Sequence, residues 1–195
     1  TGNAQNWNTM CAACHSTNLK KNYDFEKDTY HTTYSVMTVS GESWHGAGQL
    51  HIDYRKSSAY KDGEKVKGSY MQMPKNTNQA GQINTCAPCH ARRSEISADL
   101  LATTELMDNY ILEIPSKEFF YADGQAKDED YTYTSFLQSK MYNRGVRCSN
   151  CHNPHSGKLV LTGNQLCMQC HSKKYDDYSH TFHQAGTIAS ECKSC

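Results

Sequence analysis

Cys148-Ser-Asn-Cys151-His152-Asn-Pro-His155 decides how the rest of the chain is read. Two thiols separated by two residues can each add to one vinyl group of the same porphyrin. The imidazole that follows them then reaches the iron as proximal ligand. The same pattern recurs at Cys11/Cys14 with His15, Cys86/Cys89 with His90, and Cys167/Cys170 with His171. His makes up 10 of 195 residues, so four such coincidences have a chance probability below about one in 100,000. Structural zinc also uses paired cysteines but does not need a His after each pair. A redox CxxC is usually single and belongs to a βαβ context, which is absent here. The pattern therefore implies covalently attached haem.

A fifth pair, Cys192/Cys195, ends the chain before a His could follow, and the chain begins at Thr1 rather than Met. The expectation is a processed or C-terminally truncated chain carrying about five haem c groups.

Composition agrees with a core supplied partly by cofactor. The apolar fraction is 37%, below the roughly 45–50% of ordinary globular domains, and mean hydropathy is −0.80. Thirteen Tyr, two Trp and ten Cys argue against disorder, so large apolar ligands are the better account of the weak core. Lys+Arg and Asp+Glu balance at 20 each, which gives no basis for nucleic acid binding. No apolar run is long enough for a membrane span.

Distal ligands come from the remaining histidines. In order of preference they are His155, His51, His183, His31, His45 and His180. His155 lies three residues after a proximal His, so it reaches a neighbouring haem more easily than the opposite face of its own. His51 and His183 sit in short Gly-containing segments, His180 competes with His183, and His31 lies in a β-branched, aromatic stretch. Mostly bis-His ligation would set low potentials. The seven Met residues are alternative axial ligands but read better as packing. Arg92, Arg93, Arg144 and Arg147 lie near attachment sites, where they could pair with propionates or simply face solvent. Those propionates would make the holoprotein acidic and favour basic redox partners.

Several stretches resemble the cytochrome region of bacterial tetratricopeptide-repeat cytochrome c family proteins. They are Asn6-Trp-Asn-Thr-Met-Cys-Ala-Ala-Cys-His15, Cys86-Ala-Pro-Cys-His-Ala-Arg-Arg93, Tyr121-Ala-Asp-Gly-Gln125, Ser135-Phe-Leu-Gln-Ser139 and Cys148-Ser-Asn-Cys-His-Asn-Pro-His155. The resemblance covers nearly the whole chain, without the repeats. It implies kinship with a multihaem group that includes nitrite reductases and hydroxylamine oxidoreductases. One stretch departs from the family's pattern. Where such proteins carry CxxCH, a Gly-rich turn and a distal His, this chain has Gly41-Glu-Ser-Trp44-His45-Gly-Ala-Gly-Gln-Leu-His51. Both thiols are replaced. The preferred reading is a lost haem with Trp44 filling its space; a haem held by iron ligation alone is the alternative.

The expected fold class is mainly α and irregular with minor β, organised around haem as a single domain over 1–195. Within it, 1–85 hold the first haem and the vacant motif, and 86–195 hold four closely spaced sites. A strand is expected over 30–39, loop over 41–85 and a helix over 94–112. A hairpin turn is expected at Asp123-Gly124 and a helix over 132–144 with Gly145 as C-cap. Function reads as an electron carrier in the periplasm or outside the cell. It would exchange electrons with redox partner proteins or with further copies of itself in a homopolymer. The alternative is an oxidoreductase acting on nitrite or hydroxylamine-like compounds, which requires one five-coordinate iron.

Overall fold

The computed structural model describes residues 6–62, 70–74, 77–97, 105–127 and 131–194. Cys195 and the middle of the helix expected over 94–112 lie outside these. The chain divides into two compact units, Thr1–Val146 and Arg147–Cys195. Among the described residues no helix is long and apolar enough to cross a membrane.

The first unit opens with a π-helical turn, Trp7–Cys11, capped by the Asn6 side chain, which accepts from the Asn8 N–H at 2.9 Å. The turn runs directly into α1, Ala12–His15. Strands β1 (Tyr23–Asp24) and β2 (Thr29–Tyr30) form an antiparallel hairpin with Tyr23 opposite Tyr30. Beyond Tyr30 the expected strand over 30–39 reduces to single bridges, Lys20 with Thr33 and Thr17 with Val36. The reason lies in the partner segment: Asn18 and Asn22 take positive φ of 55° and 46°, which breaks any continuous ladder.

Residues 41–85 are more helical than expected. Helix α2 spans Gly41–His45, with Ser40 as N-cap and Gly46 (φ 72°) ending it. It is followed by α3 (Gln49–Lys56) and α4 (Gln79–His90). Asn78 caps α4 by accepting from the Gly81 N–H at 2.9 Å. The Gly and Lys content suggested loop, but Ser40 and Asn78 cap the starts of α2 and α4.

The helix expected over 94–112 is also corrected. Its ends are strands, β3 (Arg93–Glu95) and β4 (Tyr110–Leu112), paired antiparallel with Glu95 opposite Tyr110; the short α5 (Leu106–Asn109) leads into β4. Tyr110 is buried, Ile111 exposed and Leu112 half-buried, a period of two rather than 3.6. The turn at Asp123-Gly124 forms as expected: Gly124 takes φ 87° and its N–H donates to Tyr121 O at 2.9 Å. The helix expected over 132–144 is two, α6 (Tyr133–Gln138) and α7 (Lys140–Asn143). Ser139 is extended (ψ 152°), and its hydroxyl caps the second helix by accepting from the Tyr142 N–H. A serine here competes with helix continuation. Gly145 (φ 78°) closes α7 as expected.

The core of this unit is small: Ala87, Ala91, Leu106 and Tyr110, with Leu112 and Tyr133 packed against it. The second unit contains α8 (Cys148–Cys151), the hairpin of β5 (His152–Asn153) and β6 (Lys158–Leu159), and α9 (Tyr178–Thr181), joined by 3₁₀ turns. Ser190 is its one buried residue among those described. The architecture is the expected class, helical and irregular with small sheets.

Candidate haem-binding sites

Each attachment motif sits on a tight turn, but the turns differ. Cys11 to His15 spans the end of the π-helical turn and all of α1, so His15 is helical. Cys86 to His90 forms the last turn of α4 with Pro88 inside it. Cys148 to Cys151 is α8, and His152 is already extended (φ −115°, ψ 141°) and paired with Leu159 in the β5–β6 hairpin. Cys167 lies in the 3₁₀ turn Gly163–Gln169, with the His171 N–H donating to Cys167 O at 3.0 Å. Cys192 opens the 3₁₀ turn Cys192–Ser194.

These turns bring different motifs together. Cys14 Sγ lies 3.9 Å from Cys89 O, and Arg93 Nη2 lies 3.9 Å from the same sulfur. The Cys14 thiol is lowered to about 6, first by its hydrogen bond with Cys89; burial opposes this and the Arg93 guanidinium adds to it. Cys89 moves the opposite way, raised by the same hydrogen bond and by burial. In the second unit burial raises Cys151, and the neighbouring Cys170 adds to it. Burial likewise raises Cys192, followed by the charge of, and a hydrogen bond with, Cys167. The first motif thus reaches the backbone of the second in the first unit, and in the second unit the Cys192 N–H is tied to Asn164 at 2.8 Å, in the turn that carries Cys167.

Arg93 is fixed on three sides. Its Nε donates to Pro88 O at 2.7 Å, and its guanidinium lies 4.1 Å over the Tyr110 ring as well as beside Cys14. Burial pushes Tyr110 up to about 12, against Arg93. Arg92 stacks on Phe119 at 3.9 Å and Tyr131 at 5.4 Å. Aromatic faces thus hold both guanidinium groups beside the second attachment site.

The histidines expected as proximal ligands, His15, His90, His152 and His171, are all exposed. Of the distal candidates, His31, His155, His180 and His183 are exposed, and His45 and His51 are half-buried. His155 sits in the tip of the β5–β6 hairpin, where its N–H donates to Asn153 Oδ1 at 3.0 Å. His180, on α9, packs edge-on against Tyr175 at 5.0 Å, and His171 approaches the same ring at 6.4 Å. Sequence reasoning passed over Tyr175, although its spacing of four from His171 was a usable signal.

The motif without thiols keeps its turn. Gly41 to His45 is helical like Ala12 to His15, and a side chain at Gly41 would meet nothing within 4 Å. Thr17, two residues after the first proximal His, anchors it: its hydroxyl accepts from the Ser40 N–H at 2.9 Å and lies 3.1 Å from Ser43 Oγ. On the other side His45 Nδ1 is 2.6 Å from Gln72 O. That arrangement typically fixes the orientation of an imidazole ligand. The partner is a backbone carbonyl, so no side-chain type announces it.

The donor set fits haem better than its competitors. None of the described cysteines is in a disulfide. Among the described residues no three of His, Cys, Asp and Glu converge to hold a metal ion. Large apolar side chains stand exposed on the polypeptide, among them Phe25 (87%), Ile114 (79%), Ile188 (79%) and Phe182 (73%). Attached porphyrins would provide the apolar faces that such side chains otherwise lack.

Comparison with known proteins points the same way. Residues 141–176 match the family model described as doubled CXXCH motif. No curated protein matches the chain by sequence. The fold is similar to the crystal structure of outer cell wall cytochrome OcwA, with a TM-score of 0.56 at 19% identity. The match covers 86% of this chain and 44% of that one, so this chain spans less than half of its structural neighbour. The doubled motif over residues 141–176 and the likeness in fold to a cytochrome together support covalently bound haem c at these cysteine pairs.

Proposed function

We propose that the chain is an electron conduit of about five mostly bis-His haem c groups, working in the periplasm or outside the cell. The observation that carries this reading is the approach of separate motifs to one another: Cys14 Sγ lies 3.9 Å from Cys89 O in the first unit, and in the second the Cys192 N–H donates at 2.8 Å to Asn164, three residues before Cys167. Bound haem c supplies an iron that alternates between ferric and ferrous states. The cysteines anchor each porphyrin edge, and the turns that carry them set how near neighbouring edges lie. His15, His90, His152 and His171 offer the proximal imidazoles. His155, His51, His183, His31, His45 and His180 are the candidates for the opposite faces, and a closed iron passes electrons without binding substrate.

The name of the structural neighbour, an outer cell wall cytochrome, supports placement outside the cytoplasm. The resemblance to the multihaem group of nitrite and hydroxylamine enzymes supports common descent of the haem arrangement. Redox proteins, or further copies of the chain joined in a filament, are the partners this reading implies.

Whole-protein mass together with a pyridine haemochrome assay counts the haems, and about five per chain is expected. Low-spin ferric spectra, unmoved by cyanide or nitrite, complete the expected result. A high-spin signal that shifts with nitrite would replace the conduit with an enzyme. Colourless protein with zinc on its thiols would remove both.

A further inference from the structure

Asn164 makes three hydrogen bonds to three separate points of the second unit. Its Oδ1 accepts from the Cys192 N–H at 2.8 Å. Its Nδ2 donates to Asp176 Oδ1 at 2.6 Å and to Ser190 O at 2.9 Å. A carboxylate and a carbonyl only accept, and a backbone N–H only donates, so chemistry leaves a single orientation for this amide. No other side chain of its size meets the demand. Aspartate would set a carboxylate against Asp176 and the Ser190 carbonyl, and leucine would leave all three groups unmatched.

The position of Asn164 gives these bonds their meaning. It is the second residue of the 3₁₀ turn Gly163–Gln169, three residues before Cys167. Two of its partners, Ser190 and Cys192, flank the start of the fifth motif. Ser190 is buried, and its hydroxyl donates to Thr187 O at 2.8 Å, which makes it a fixed point. Among the described residues of this unit no apolar side chain is buried.

We infer that Asn164 is a positioning residue that sets the spacing of the fourth and fifth haem attachments, and through it the electronic coupling of those two haems. The inference rests on the five-haem conduit reading, since it needs a haem on Cys192 as well as on Cys167.

The test uses the full-length holoprotein with N164A, N164D and the double variant N164D/D176N. Three measurements are made on each: whole-protein mass, electron paramagnetic resonance of the oxidised haems, and a potentiometric titration. The expected result is an unchanged haem count in N164A, with loss of the spin interaction of one haem pair and a shift in that pair's potentials. N164D loses more of the interaction, and N164D/D176N regains part of it, because an amide then faces a carboxylate again. A residue that merely stabilised the fold would lower the melting temperature and leave the spin interaction alone. Wild-type spectra and potentials in both single variants, with all haems present, would overturn the positioning role and leave the conduit standing. A wild-type mass lacking the haem on Cys192 would overturn the role and the five-haem count together.

Discussion

In the first unit Ala87, Ala91, Leu106 and Tyr110 close on one another and Thr17 is 1% exposed, whereas the second unit buries only Ser190 among its described residues. Yet the second unit carries three of the five cysteine pairs in a third as many residues as the first. A stretch this short cannot bury enough apolar surface by itself to offset the entropy of ordering its backbone. The difference indicates that polypeptide and cofactor are interchangeable as core material. Where the chain supplies side chains, haem attaches to a folded element. Where it does not, a covalently attached haem would have to supply the interior.

The strongest test removes that interior. Replacing Cys148, Cys151, Cys167 and Cys170 with alanine should leave residues 147–195 open to digestion while the first unit still resists; limited proteolysis followed by mass spectrometry reads this directly. Equal resistance of both units would end the contrast. The first unit can also be made more like the second: in G41C/W44C the thiols return to a turn that is still helical and open at Gly41. Whole-protein mass should rise by one haem.

Smaller effects concern the first unit's own packing. Leu106→Ala removes a buried member of the core (3% exposed) and should cost about 2–5 kcal/mol in denaturant unfolding. Thr17→Val keeps the shape but removes a hydroxyl that donates to Thr38 O at 2.7 Å and accepts from the Ser40 N–H. The orphaned groups should cost about 1–3 kcal/mol, read as a lower melting temperature with the haem count unchanged.

The sequence made the chemistry easy to read and the backbone harder. Cysteine spacing is a local covalent requirement, so the doubled motif over residues 141–176 was legible without any fold. The Gly124 turn and the Gly145 cap were legible too, since positive φ selects glycine. What failed depended on partners distant in sequence. Tyr110 reads as helical by its neighbours but is a strand residue because Glu95 lies opposite it. Ser139 breaks a helix whose apolar pattern runs straight through it. The contacts between motifs, separated by 75 positions for Cys14 and Cys89, leave no trace in a single sequence.

Pro88 sits between Cys86 and Cys89 inside α4. A proline ring restricts the unfolded chain as well as the folded one, so this pair wanders through fewer shapes before it meets its porphyrin. The pair at Cys148 and Cys151 spans Ser149 and Asn150 instead and has no such restraint. The second attachment is thus more restricted before binding than the third.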